Sequence, residues 1–254
     1  MRKFIDLSGR VAIVTGGSRG IGRATAVFFA RAGADVAFNY LKDEKAAAQT
    51  VQEIEWEGQR GLAVCADVSK FEAVKKLVET TVKKLGRVDI LVTNAGIWEG
   101  AAIEKMTPEK LAKTVETNLY GTFYAITLCV PYMKRQKSGN IITVSSTAGQ
   151  RGEAFHSHYA ATKGAVISLT KSLAPELAPF NIRVNCVAPG WVDTDMSHSA
   201  LIGKERREIL STIPLGRAAT AEEIAGAILF LASGLSTFIT GEILNVNGGA
   251  VLIG

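Results

Sequence analysis

Seven short apolar runs, rich in valine and isoleucine, alternate with helix-patterned stretches, and this alternation restricts the available folds more than any other feature. The runs are VAIVT (11–15), DVAFNY (35–40), GLAVCAD (61–67), VDILVTNAG (88–96), NIITVSS (140–146), NIRVNCVAPG (181–190) and EILNVN (242–247). Between them lie IGRATAVFFARAG and predicted helices over about 43–57, 71–85, 108–136, 159–178 and 221–232. Strands of this buried type separated by helices are βαβ units, which build a parallel sheet covered on both faces. The expected fold class is α/β: one doubly wound domain over residues 1–254, with a seven-stranded parallel sheet and no Ser/Pro-rich linker to divide it. Ligands of such a sheet bind at the carboxyl ends of its strands.

Composition narrows the partners. A hydrophobic content of 47% over 254 residues supplies a large core. The net charge of +5 is dispersed in cation pairs such as Arg2-Lys3, Lys83-Lys84 and Lys134-Arg135. Without a longer run or interleaved aromatics these read as solvated helix ends, and no nucleic-acid partner is expected. A basic balance still favours anionic ligands, phosphates included. Cys65, Cys129 and Cys186 stand in apolar runs, an odd count without CxxC spacing. They are expected to be buried thiols, not a metal site or a disulfide framework. No apolar run reaches transmembrane length, and MRKFIDLSGR has no signal-type apolar region, so a cytoplasmic protein without a membrane partner is expected.

The first strand runs into Thr15-Gly16-Gly17-Ser18-Arg19-Gly20-Ile21-Gly22, a GxxxGxG spacing between a strand and a helix. Glycines there permit the turn, let the backbone approach a pyrophosphate and open a helix whose N–H groups face the anion. Further on, SHYAATKG sets Tyr159 and Lys163 four residues apart, on one face of a helix. Alone, that spacing is also what a surface helix shows by chance.

Together, TGGSRGIG, TNAG (93–96), Asn118, Ser146, Tyr159, Lys163 and PGWVDT (189–194) resemble the short-chain dehydrogenase/reductase family. The likeness covers essentially the whole chain in the family's order. IPLGR (213–217), FLAS (230–233) and ITGEILNVNGG (239–249) look most like bacterial 3-oxoacyl-acyl-carrier-protein reductases. The resemblance implies a nicotinamide-dependent oxidoreductase with Tyr159 as general acid/base. Ser146, thirteen residues earlier, would donate to the substrate carbonyl; Asn118 would help relay protons through water, and Lys163 would hold the nicotinamide ribose. Strand alternation predicts that Ser145 faces away from Ser146. A free tyrosine has a pKa of about 10, and lowering it to about 7 takes roughly 4 kcal/mol. A cation about 4 Å away at an effective dielectric of about 20 supplies a similar amount. Lys163 is therefore expected to acidify Tyr159 in a water-excluding site.

The second strand ends in Phe38-Asn39-Tyr40-Leu41-Lys42, without the acid that grips the ribose in NAD-preferring members. Arg19 occupies a position where relatives place a cation for a 2′-phosphate, and Lys42 adds a second. NADP(H) is expected as the preferred cofactor, with NAD(H) as the alternative. By resemblance Asp67 and Val68 meet adenine, Asn94, Ala95 and Gly96 lie beside the ribose, and Val192 and Thr194, after Pro189 and Gly190, clamp the carboxamide. Glu153, Phe155, Trp98 and Trp191 occupy positions that face substrate in the family, while His156, His158 and His198 are read as polar lining and loop. Residues 191–217 are expected to form a partly helical substrate lid. The substrate implied is a 3-oxoacyl thioester, with an acyl carrier protein docking on Lys134, Arg135 and Lys137; a sugar or small ketone is the alternative. A dinucleotide-sensing protein without activity would be expected to lose Tyr159, Lys163 or Ser146. Family likeness also implies a homotetramer built on the helices over about 119–136 and 159–178 and the C-terminal strand.

Overall fold

The computed structural model describes residues 5–204 and 206–252, so the Arg2-Lys3 pair lies outside the described residues. The strands are β1 (Val11–Val14), β2 (Asp35–Tyr40), β3 (Gly61–Cys65), β4 (Ile90–Thr93), β5 (Gly139–Val144), β6 (Ile182–Pro189) and β7 (Ile243–Val246). They form one sheet in the order β3-β2-β1-β4-β5-β6-β7, every pairing parallel. Chain order reverses between β1 and β4, which opens a crevice at their carboxyl ends.

Alternation along each strand divides the core between two faces. Ala12, Val14, Ile90 and Val92 belong to one cluster, with Phe29 and Ala30 of α1 (Gly20–Arg31), Ile54 of α2 (Glu44–Trp56) and Ile228 of α10 (Ala221–Ala232). Ile13, Leu91 and Ile141 belong to the other, with Leu77 of α3 (Phe71–Leu85), Met133 of α5 (Gly121–Gln136) and Leu177 of α7 (Ser157–Leu177). Local chemistry sets several helix ends. The Thr220 hydroxyl and Glu223 carboxylate form a reciprocal capping box at the start of α10, and α3 stops at left-handed Gly86, φ 90°.

Three expectations are corrected, while the helix predicted over 108–136 is present: α4 (Pro108–Val115) runs through a π-helical turn at Glu116–Tyr120 into α5, with helical backbone throughout. Strands β4 and β5 stop at Thr93 and Val144, so Asn94-Ala95-Gly96 and Ser145-Ser146 leave the sheet and face the crevice as loops. Cys129 and Cys186 are buried, but Cys65 is exposed because it ends the edge strand β3. Lys134, Arg135 and Lys137 sit where α5 turns into the amino end of β5, whereas Ser146 follows its carboxyl end. Their Nζ and guanidinium groups cover local rings, Lys134 over Phe180 at 4.1 Å and Arg135 over Tyr132 at 4.6 Å. The length of a strand therefore separates this cluster from the crevice within one chain. The 191–217 stretch is partly helical as expected, with α8 (His198–Ile202) and α9 (Arg206–Ser211). Among the described residues, no helix is long and apolar enough to cross a membrane.

Candidate active site

The glycine turn after β1 is braced from three directions. Gly16, φ 68°, donates its N–H to Asn39 Oδ1 at 2.9 Å, and Asn39 Nδ2 donates to the Ala66 carbonyl at 2.8 Å. The buried Asn39 side chain thus ties the turn to the ends of β2 and β3. Thr15 Oγ1 accepts the N–H groups of Asn94 and Ala95 at 2.9 and 3.0 Å, while Asn94 Nδ2 donates to the Thr15 carbonyl at 3.0 Å. At Gly22 a Cβ would stand 2.1 Å from the Gly16 carbonyl oxygen, so only glycine lets α1 start this close to the turn.

Above the turn lies a cavity of about 720 Å³. Gly16, Ser18, Arg19, Gly20, Ile21, Asn39, Tyr40, Asp67, Val68, Asn94, Ala95, Gly96, Pro189, Gly190, Val192 and Thr194 all line it, as do Ser146, Tyr159 and Lys163. Gly22, Lys42 and Asn118 do not. Gly22 serves packing, and Lys42 is exposed beyond the rim. Arg19 reaches across the cavity mouth to Asp195 at 3.8 Å, both side chains remaining largely exposed. One wall was not legible in the sequence: Glu109, Ala112, Lys113, Glu116 and Thr117, from α4 and the π turn, also line the cavity. Nothing local marks them; only the fold brings that helix over the crevice.

The π turn carries Asn118, buried behind the wall. Its Oδ1 accepts the N–H of Ile97 at 2.8 Å and its Nδ2 donates to the Ile97 carbonyl at 2.9 Å, a two-point clamp on the loop after β4. A π turn inside a helix often accompanies a functional site because it re-aims a side chain.

Ser146 caps α6 (Thr147–Arg151), its Oγ accepting the N–H of Ala148 at 3.1 Å. Ser145 Oγ donates instead to the Lys163 carbonyl at 2.7 Å. Helices α6 and α7 touch where a Cβ on Gly149 would lie 2.5 Å from the Lys163 carbonyl carbon. This seats Tyr159 and Lys163 against the end of β5. Lys163 Nζ donates to the Val144 carbonyl at 2.8 Å and lies 5.7 Å from the Tyr159 ring centroid.

The electrostatics overturn the expected acidic phenol. Burial pushes the Tyr159 phenol up to about 12; the Ser146 hydroxyl pulls it back in part, and the Glu153 charge adds to the rise. Burial also brings Lys163 down to about 8. The same water exclusion that was to strengthen the Lys163–Tyr159 attraction penalises the phenolate itself. With that shift the phenol keeps its proton at neutral pH.

Beyond Tyr159 the cavity is walled by Trp98, Glu153 and Trp191. The two indoles meet edge to face at 5.7 Å, and Trp98 stacks on His156 at 4.4 Å. Phe155 stands outside, 70% exposed, with a left-handed φ of 61° that turns its side chain to solvent. Its carbonyl accepts the N–H of Ala101 at 2.7 Å, which holds the loop after β4 against this bend. His158 is buried, its Nδ1 has no hydrogen-bond partner among the described residues, and burial lowers its pKa. His198 begins α8 and is exposed.

The profile of a family described as Enoyl-(Acyl carrier protein) reductase matches residues 16–251. The chain is 41% identical to the 3-oxoacyl-[acyl-carrier-protein] reductase FabG of Thermotoga maritima, over 97% of this chain and 99% of that protein. It is 41% identical to the 3-oxoacyl-[acyl-carrier-protein] reductase of Synechocystis, over 97% and 98% respectively. Among solved structures it superimposes on a dehydrogenase/reductase from Sinorhizobium meliloti 1021 with a TM-score of 0.91, 37% identity and 97% of each chain covered. A short-chain type dehydrogenase/reductase from Mycobacterium marinum gives 0.92, with 35% identity and 98% of each chain. With the glycine turn, the crevice and these near full-length matches in hand, the chain belongs to the short-chain dehydrogenase/reductase family of nicotinamide-dependent oxidoreductases.

Proposed function

We propose that this one-domain protein is an NADP(H)-dependent carbonyl reductase whose substrate is a 3-oxoacyl thioester, reduced to the 3-hydroxy form. The observation that carries the reading is that Ser146, Tyr159 and Lys163 line one cavity with the glycine turn. The cradle suits a dinucleotide: Gly16 and Gly20 leave open backbone at the start of α1, where a pyrophosphate would lie. When bound, the nicotinamide supplies the hydride. Ser146 and Tyr159 position the carbonyl oxygen with their hydroxyls, and Tyr159 transfers its proton to the alkoxide as the C=O electron pair moves onto oxygen. Lys163 holds the ribose and Asn118 orders water that reprotonates the phenol. Arg19 binds the 2′-phosphate, in keeping with the buried, uncharged Asn39 at the end of β2. Asp67, Val68, Tyr40, Ser18 and Ile21 surround the adenosine half, and Val192 and Thr194 hold the carboxamide.

The thioester is favoured by the names of the two 41% relatives. A second reading, a small polar ketone or sugar, is favoured by the place of Lys134, Arg135 and Lys137, a strand's length from the crevice of the same chain. The protein is read as a cytoplasmic homotetramer. Purified protein, assayed with NADPH and NADH against 3-oxoacyl and enoyl thioesters, cyclic ketones and sugars, tests both readings. Reduction of enoyl but not 3-oxo thioesters, or of no thioester at all, overturns the first.

A further inference from the structure

Glu153 is a carboxyl that the reduction of a simple ketone does not use. It lines the same cavity as Ser146 and Tyr159, and its charge reaches the Tyr159 phenol. Its surroundings are costly for such a group. The side chain is only 26% exposed, beside Trp98 in a cavity that Trp191 also lines, and burial is the main cause of its raised pKa. One oxygen is held in place: Trp98 Nε1 donates to Oε1 at 3.2 Å, and His156 Nδ1 stands 3.7 Å from the same atom, beyond hydrogen-bond range. The stack of His156 on Trp98 fixes the indole that makes this bond. The other oxygen, Oε2, makes no hydrogen bond to any described residue. A pre-oriented acceptor with a spare oxygen in the same cavity as Tyr159 is the arrangement that recognises a donor on a ligand.

We propose that Glu153 is a specificity-determining residue that accepts a hydrogen bond from a hydroxyl on the substrate close to the reacting carbonyl, so that hydroxylated ketones are preferred over their unsubstituted counterparts. This rests on the carbonyl-reductase reading and narrows its substrate class. An apolar acyl segment laid against Glu153 strips water from the carboxyl and returns no hydrogen bond. A site built to bond a hydroxyl discriminates against the analogue lacking it far more strongly than an apolar pocket discriminates by size. Trp98 and Trp191 close the same end of the cavity, so the hydroxyl-bearing part is compact.

The test uses matched pairs differing by one hydroxyl: butan-2-one with 1-hydroxybutan-2-one, and the 3-oxobutanoyl with the 4-hydroxy-3-oxobutanoyl thioester of N-acetylcysteamine. In the wild type, kcat/KM for the hydroxylated member is expected to be larger by about tenfold or more in at least one pair. In Glu153→Leu that ratio falls to near one, and in Glu153→Gln, which keeps an acceptor and the Trp98 bond, most of it survives. A wild-type ratio near one in both pairs, or a ratio unchanged in Glu153→Leu, overturns the proposal. Binding is read separately from turnover through indole emission on titration with each ketone, since Trp98 touches both Glu153 and the cavity. If neither pair is reduced, tighter binding of the hydroxylated ketone by the wild type, lost in Glu153→Leu, upholds the Glu153 assignment while the reductase reading fails. Equal binding overturns the assignment. Reduction of the ketone pair alone, with the hydroxyl preference, upholds it and removes the thioester.

Discussion

Lys163 Nζ donates a hydrogen bond to the carbonyl of Val144, the last residue of β5, at 2.8 Å. The bond joins the catalytic-type helix to the strand end beside Ser146, and it holds a cation where water is excluded. The lysine accordingly has its pKa lowered to about 8. Position and charge are thus in conflict: the fold carries this side chain at a cost for the sake of the site.

That conflict gives a stability prediction. Below pH 8 Lys163 is protonated in the folded and unfolded chain, so the burial penalty is present in full. Between about 8 and the ordinary lysine value of 10.5 the unfolded chain keeps a proton the folded one has released, so stability rises with pH. Relative to Lys163→Met, the wild type should gain about 3 kcal/mol across that window. Urea unfolding of both proteins at pH 7.5 and 10.5 measures it, and a constant difference refutes it.

Tyr159→Phe removes only the phenol proton. Its kcat should fall by about a hundredfold or more, with cofactor affinity nearly unchanged. Retention of more than about a tenth of wild-type kcat contradicts the acid role. With a phenol at about 12, alcohol oxidation by the wild type should climb close to tenfold per pH unit from neutrality, because it needs the phenolate. Carbonyl reduction should show no such slope from this group.

Arg19 is the exposed cation of the glycine turn, and its contact with Asp195 is loose. Arg19→Ala should lower kcat/KM for NADPH by about tenfold while leaving NADH within about twofold, the loss of one charge-assisted phosphate contact. Equal effects on the two cofactors count against the 2′-phosphate assignment.

Asn118 offers a sharper structural test. In Asn118→Asp the group facing the Ile97 carbonyl changes from donor to acceptor at a site only 1% exposed. A loss of about 2 kcal/mol or more in unfolding free energy is expected. Asn118→Ala, which repels nothing, should cost less. Both variants within about 0.5 kcal/mol of the wild type would show that the clamp is not what the residue supplies.

Assembly is read from what the helices leave outside. Ile126 and Leu169 are core, Val130 and Leu173 pack partly against it, and Phe123 on α5 remains 43% exposed beside the exposed Tyr120. Light scattering of the wild type at micromolar concentration should give a tetramer, and Phe123→Lys should give a smaller species. A wild-type monomer refutes the proposal.

The order of strands and helices, the glycine turn and the shared face of Tyr159 and Lys163 were all legible in the sequence. Each depends on neighbours within a turn or a strand: a period of two or of 3.6, a left-handed glycine, a four-residue spacing. Tertiary structure decided the rest. Asn39 meets Gly16 across 23 residues, and Lys163 meets Val144 across 19. The α4 wall, the π turn under Asn118 and the distance from Lys134 to the crevice follow from how the helices cross the sheet. The protonation of Tyr159 was decided there too. Local spacing specifies which charge stands near, whereas burial, the larger influence on the phenol, depends on segments folded over it from elsewhere in the chain.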